Sequence, residues 1–211
     1  AKLKALWKCN DKITEENVLR VVKAIEVMAF RDFAIASRNP NGIERALAST
    51  ALDYYKGLIS VDNVISIVKN LSASDDELSP LLDCYKPTND KLAKFILREI
   101  ESYISTSPEM RLNDSDTVIN LEHIMPRDNS IWQYPAEEHD DVYTMLGNMT
   151  LLAEKWNKSI SNKLFEEKKE KYAQSAIRLT HKLLDYDVWN KDTILQRGQF
   201  FKNQILEIWA L

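Results

Sequence analysis

Apolar residues recur at helical spacing along most of this chain, and one segment departs from that pattern. Val18, Val21 and Ile25 illustrate the helical repeat. Two short apolar runs, 118–121 and 149–152, instead flank a stretch rich in Pro, Asp and Asn. Short runs bounded by turn formers are typical of strands. The chain is therefore predicted to be α+β and predominantly α, with a strand, loop, strand and helix set between helical segments.

Start and stop signals predict five helices before this segment. They are a helix from Thr14 to about Ser37, one ending at Gly57, one opened by Ser60 or Asp62, a short one from Glu77 to Cys84, and one capped by Thr88. A polar linker at residues 113–116 then precedes the first predicted strand. We therefore expect a helical part over residues 1–114 and a second part over residues 115–211, with a last helix opened by Asn190.

The composition predicts a soluble protein of the cytoplasm with no membrane partner. A hydrophobic fraction of 45% over 211 residues is enough for a core without disulfides or structural metal. Cys9 and Cys84 lie far apart, which argues against a disulfide framework and a thiolate zinc site. No run approaches the roughly 18 apolar residues of a membrane span, and the N-terminus lacks a signal-peptide pattern.

The charge of the chain is unevenly distributed. Its net charge of -4 speaks against nucleic acid, because phosphate binding depends on clustered Lys and Arg. From Lys155 to Lys182, however, eight Lys or Arg residues outnumber three Glu. This stretch is compatible with a solvated helix face that carries ion pairs between neighbouring turns. It is also compatible with a phosphate-binding surface.

An acid and a histidine stand side by side where the first predicted strand ends. Glu122 and His123 are followed by Pro126, which stops further strand pairing. The pair alone is also compatible with a surface acid beside a hydrogen-bonded histidine. A second element gives it a context, because Asn148 opens the second predicted strand and Asn157 follows nine residues later on a predicted helix. Three polar groups thus recur in a fixed sequence context.

Two further histidines fall outside this pattern. His139 lies in an acidic stretch expected to be a solvated loop, although metal binding there is conceivable. His181 lies in a helical stretch and is expected to be exposed or capping. Bulky aromatics at helical spacing usually belong to a core. Those assigned to the core are Trp156, Phe165, Trp189 and Trp209.

The segments 121–126 and 146–152 resemble the ββα-metal, or HNH, nuclease motif. That motif has an acid-His pair at the end of one strand, an Asn opening a second strand, and a His or Asn on the next helix. The likeness extends over about residues 90–211 and resembles the C-terminal HNH-like domain of GmrSD-type modification-dependent restriction endonucleases. Phosphorothioate-sensing phage-defence proteins of the same architecture are similar too. The resemblance implies an HNH-like core wrapped by C-terminal helices.

The resemblance also implies roles for the motif residues. His123 would be the general base, because an imidazole with a pKa near ~6.5 is neutral and basic at cellular pH. Asn148 would position the histidine loop. Glu122 and Asn157 would offer oxygen ligands to one divalent cation, and such hard donors suit Mg²⁺ or Mn²⁺. In many HNH enzymes, zinc-binding cysteines flank the His or Asn on the helix of the motif. In this chain Ala153 occupies one of those positions.

DNA contacts are expected beyond the motif. The residues assigned to them are Lys158, Asn162, Lys163, Lys168, Lys169 and Arg197. Two have an alternative: Asn162 is compatible with the N-cap or turn residue of the helix starting near Leu164, and Arg197 is compatible with a structural ion pair.

The function expected is that of a metal-dependent DNA endonuclease, the effector of a restriction or phage-defence protein that acts on modified or foreign DNA. An N-terminal nucleotide-hydrolysing domain with an Asp-Gly-Gln-Gln-Arg signature accompanies this domain in the family. The signature does not occur here, so the chain is expected to be the C-terminal part of a larger protein. The alternatives are a non-catalytic DNA-binding or interaction module on the same frame and an RNA-directed toxin.

Overall fold

The computed structural model describes residues 14–105 and 119–211. Across these ranges the chain is mostly helical with one two-stranded sheet, which confirms the predicted α+β class. It divides into two compact units, one formed by residues up to Leu81 with Trp209–Leu211, and the other by Leu82–Ile208. The boundary predicted between residues 114 and 115 lies outside the described residues.

The first helices begin at the local signals that the sequence carries. They are α1 (Glu15–Ala29), α2 (Pro40–Tyr55), α3 (Val61–Leu71) and α4 (Asp75–Leu82). Thr14 caps α1 by accepting a hydrogen bond from the Asn17 amide. Ser60 and Asn63 form a capping box at the start of α3. A π-helical turn, Phe30–Ile35, continues α1 almost to the predicted end at Ser37.

Arg31 is the polar centre of the first unit. Its fully buried guanidinium donates to the carbonyls of Ala73 at 2.7 Å and Trp209 at 2.9 Å, and it pairs with Asp75 at 2.5 Å. A buried charge is tolerated only when it is paired and hydrogen-bonded. Trp209 also stacks on Phe30 with ring centroids 3.7 Å apart. These contacts confirm Trp209 as a core residue.

The second unit contains the segment predicted to break the helical pattern. Its elements are α5 (Asp90–Ile104), β1 (Ile119–His123), α6 (Ala136–Val142), β2 (Met149–Ala153), α7 (Glu154–Ile160), α8 (Phe165–Tyr172), α9 (Arg178–His181) and α10 (Lys191–Ile208). The strands pair antiparallel, with Glu122 opposite Thr150 and His123 opposite Met149. The predicted strand order is confirmed. One detail was wrong, because α6 lies within the stretch predicted to be a loop.

A close approach of backbone to backbone holds α10 against the turn that precedes β2. A Cβ atom on Gly147 would lie 2.2 Å from the carbonyl oxygen of Ile194, a distance that no side chain tolerates. Around this contact the core includes Phe165, Tyr172 and Trp189, each almost fully buried. In the described ranges, no helix is both long and apolar enough to cross a membrane.

Candidate active site

Asn148 holds the loop that follows His123. Its side chain is fully buried and makes two hydrogen bonds with the backbone of Met125. Oδ1 accepts from the Met125 amide and Nδ2 donates to the Met125 carbonyl, both at 2.8 Å. Nδ2 also donates to the Tyr143 carbonyl, and the Trp189 indole donates to Oδ1, each at 2.9 Å. An amide side chain has two donors and two acceptor positions. All four are used, so Asn148 positions backbone and has no group left for a substrate.

The His123 side chain lies half-buried at the end of β1. Partial burial lowers the pKa of this imidazole, and the Lys168 charge adds to the effect, whereas the Asp90 carboxylate at the start of α5 opposes it. A lowered pKa keeps the ring neutral at cellular pH. A neutral, partly accessible imidazole is able to accept a proton.

The Glu122 carboxylate points into the interior and is 4% exposed. Its Oε1 accepts from Lys168 Nζ at 2.7 Å and from the Tyr172 hydroxyl at 3.1 Å. Burial raises the pKa of Glu122 and lowers the pKa of Lys168, and the contact between the two opposes both effects. Its second oxygen, Oε2, takes no hydrogen bond from the described residues. Glu122 is therefore anchored through one oxygen, Oε1.

Asn157 lies on α7, the helix that directly follows β2. Its Nδ2 donates to the carbonyl of Leu121 at 2.9 Å, which ties the helix to β1. Because the amide nitrogen is used in this way, Oδ1 is left to accept or to ligate. Asn157 and Asn148 thus bind opposite ends of the same stretch, 121–125. Lys168 binds its middle, with Nζ donating to the carbonyls of His123 at 3.2 Å and Ile124 at 3.1 Å.

The donor set is compatible with a hard divalent cation. Within residues 14–105 and 119–211, no cluster of three or more His, Cys, Asp or Glu side chains could hold a metal. A cation would therefore depend on Glu122, Asn157 and oxygens of the substrate. Carboxylate and amide oxygens suit Mg²⁺, which commonly keeps several non-protein ligands. Anchoring of Glu122 by Lys168 and Tyr172 is the kind of support that ligating carboxylates have in metalloproteins.

The family model described as GmrSD restriction endonucleases, C-terminal domain, matches residues 78–203. The chain belongs to this family. The match covers more than half of the chain and contains β1, β2, α7 and α8, so the resemblance to the C-terminal domain of GmrSD-type restriction endonucleases is confirmed. No curated protein and no solved structure matches the chain.

Of the basic residues assigned to DNA in this GmrSD-type domain, some are at the surface. Lys158 and Lys163 are exposed, although Lys158 pairs with Glu154 one turn earlier. Lys169 is 20% exposed, pairs with Glu166 at 3.0 Å, and lies over the Phe165 ring. Asn162 donates to the Asp128 carboxylate at 2.6 Å. It is not the N-cap of α8, which is Leu164.

Two predicted DNA contacts require correction. Lys168 is fully buried, and Arg197 is 3% exposed. The Arg197 guanidinium donates to the carbonyls of Gly147 at 2.8 Å and Met149 at 2.6 Å. Neither cation reaches a surface on which a DNA phosphate could lie. Both are interior cations, and within the described residues Arg197 binds carbonyls rather than forming the ion pair considered as its alternative.

Sequence reasoning missed two contributors to the site. Tyr172 shares the Glu122 carboxylate with Lys168, and its spacing of four residues from Lys168 on α8 was an available signal. His139 was expected in a solvated loop, but it is 3% exposed. Its Nε2 lies 2.8 Å from the Pro126 carbonyl, and its ring stacks on Tyr143. No local signal in the acidic stretch pointed to this burial.

Proposed function

We propose that this chain is the nuclease domain of a restriction or phage-defence protein and that it hydrolyses DNA phosphodiester bonds. One observation carries the proposal: Asn148, Asn157 and Lys168 converge by hydrogen bonds on residues 121–125, which hold His123 and Glu122. Three elements thus immobilise one acid-His pair. Such preorganisation is what a catalytic constellation needs and what a surface acid-His pair does not require.

In this proposal His123 is the general base. Its half-buried ring removes a proton from the water that attacks phosphorus, and its lowered pKa keeps it unprotonated for that task. Asn148 acts on backbone and not on substrate, because its hydrogen-bonding capacity is filled. Asn148 is therefore a positioning residue, and His123 is the residue that touches the reacting atoms.

Glu122 Oε2 and Asn157 Oδ1 would hold one Mg²⁺ or Mn²⁺. When bound, such an ion supplies Lewis-acid stabilisation of charge on the phosphate and the leaving oxygen. The exposed Lys158 and Lys163 would contact the DNA backbone, together with the partly exposed Lys169 and Asn162. The substrate would be modified or foreign DNA, and a nucleotide-hydrolysing domain of the parent protein would be the partner that controls access to it.

Nicking of supercoiled plasmid tests the proposal. Modified and unmodified plasmid are incubated with the chain in Mg²⁺, Mn²⁺ or excess chelator, beside His123→Ala and the control His181→Ala. His181 is an exposed histidine on α9 of the same unit. We expect metal-dependent nicking by the wild type and by His181→Ala, and none by His123→Ala.

The second candidate is a non-catalytic DNA-binding module, and the burial of Glu122 against Lys168 favours it. Plasmid binding without nicking by the wild type in either metal, also with the nucleotide-hydrolysing domain restored, would select that function instead.

A further inference from the structure

We infer that Lys168 is a positioning residue of the proposed nuclease, whose ammonium orients the two peptide groups that follow His123 and the carboxylate that precedes it. The inference rests on the proposed function, because it assigns a role within that same site. Lys168 lies on α8 and is fully buried. Its Nζ donates to three oxygens, those of the Glu122 carboxylate and of the His123 and Ile124 carbonyls. A lysine ammonium has three N–H donors, and all are used.

The two peptide groups after His123 are each held from both sides. In the first, Lys168 binds the His123 carbonyl while the Ile124 amide donates to the Asn148 carbonyl at 2.9 Å. In the second, Lys168 binds the Ile124 carbonyl while the Met125 amide donates to Asn148 Oδ1. A peptide group is planar, so gripping its oxygen and its N–H fixes the plane. The orientation of the peptide group after His123 in turn directs the imidazole. Lys168 holds the carbonyl side of that peptide group, and Asn148 holds its N–H side.

The neighbouring lysine shows what an ordinary surface cation of this helix does. Lys169 is partly exposed and pairs with Glu166 one turn earlier, so its charge is satisfied within α8 itself. Among the described residues, the Lys168 side chain bonds to none of its own helix, and its Nζ reaches instead to β1 and the loop beyond it. A compact ammonium with three donors suits a cage of three oxygens, and the planar fork of arginine does not. Lys168 therefore joins α8 to the His123 loop.

Lys168→Gln is the primary test, because glutamine keeps two N–H donors for the oxygens that Lys168 binds. Lys168→Met removes every donor, and Lys169→Gln is the matched control. Each variant is measured for its single-turnover nicking rate at saturating protein, for the protein concentration that gives half that rate, and for amide hydrogen exchange resolved by segment. The first measurement reports chemistry, the second DNA binding, and the third the order of residues 121–126.

Positioning predicts that Lys168→Gln lowers the saturating rate by roughly ten- to a hundredfold. The half-saturating concentration should stay within about twofold, as a buried group makes no phosphate contact. Exchange should rise in residues 121–126 and not across the rest of the second unit. Lys169→Gln should leave the saturating rate and the loop exchange unchanged.

Three results would overturn the inference. One is an unchanged saturating rate with unchanged loop exchange in both Lys168 variants. Another is a raised half-saturating concentration with the rate retained, which would make Lys168 a DNA contact. The third is exchange raised throughout the second unit, or failure of both variants to fold, which would assign Lys168 to stability alone. A wild type that does not nick DNA would contradict the proposed function, while the exchange comparison would still decide the positioning.

Discussion

Asn148→Asp is expected to destabilise the second unit although it hardly changes the volume of the side chain. Nδ2 of Asn148 donates to the carbonyls of Met125 and Tyr143 in a fully buried position. Aspartate keeps the acceptor oxygen but places a second oxygen against these two carbonyls. A buried polar group left without its partner costs about 1–3 kcal/mol. Two such losses predict a fall of about 2–6 kcal/mol in the free energy of unfolding.

Urea unfolding followed by circular dichroism measures this loss. The control is Asn203→Asp, the same change on an exposed residue of α10 in the same unit, which should shift stability by no more than about 0.5 kcal/mol. The nicking rate of Asn148→Asp should also fall under conditions in which the variant is still folded, because the loop after His123 loses its hydrogen bond from Nδ2 to the Met125 carbonyl. A loss of less than about 1 kcal/mol would refute this explanation, since the Nδ2 hydrogen bonds to Met125 and Tyr143 would then not stabilise the second unit.

Three further predictions concern packing, DNA binding and pH. Gly147→Ala places a Cβ atom against the Ile194 carbonyl, so thermal unfolding should show that the free energy of unfolding falls by about 1–3 kcal/mol or more. In the control Gly42→Ala, a Cβ meets no atom within 4 Å, and the free energy of unfolding should change little. The double variant Lys158→Glu, Lys163→Glu should bind plasmid more weakly and with less salt dependence, as measured by fluorescence anisotropy, because exposed cations release counterions from DNA. An unchanged affinity would show that these two lysines do not contact DNA. Because burial lowers the pKa of His123, its basic form persists to more acid pH, and the acid limb of the nicking rate should have its midpoint below about 6.5; a midpoint above that value would contradict the assigned base.

Local signals predicted the secondary structure well because they act within a few residues. Thr14 and Ser60 start their helices as expected, since their side-chain oxygens accept backbone hydrogen bonds three residues on. Thr88 missed by one position, because Asn89 has the extended backbone and accepts the Leu92 amide. The π-helical turn at Phe30–Ile35 has no sequence signature and was not foreseen.

The interior polar groups of the site could not be predicted from the sequence in the same way. Lysine and arginine are mostly exposed unless paired, so Lys168 and Arg197 were interpreted as surface cations. Their partners lie 46 and 50 residues away along the chain, in Glu122 and Gly147. Such contacts exist only after β1 and β2 have paired and the helices have packed around them. The spacing of motif residues identified where a site should form, and tertiary packing decided which side chains face inward.

The role of His123 as the base in DNA hydrolysis is tested most directly by the single-turnover nicking rate of His123→Ala with and without added imidazole. Removal of a general base typically costs about 10²- to 10⁴-fold in rate. We predict a loss of this size, with part of the rate restored by imidazole and no restoration by an equal concentration of a non-basic salt. Nicking by His123→Ala at the wild-type rate would contradict it.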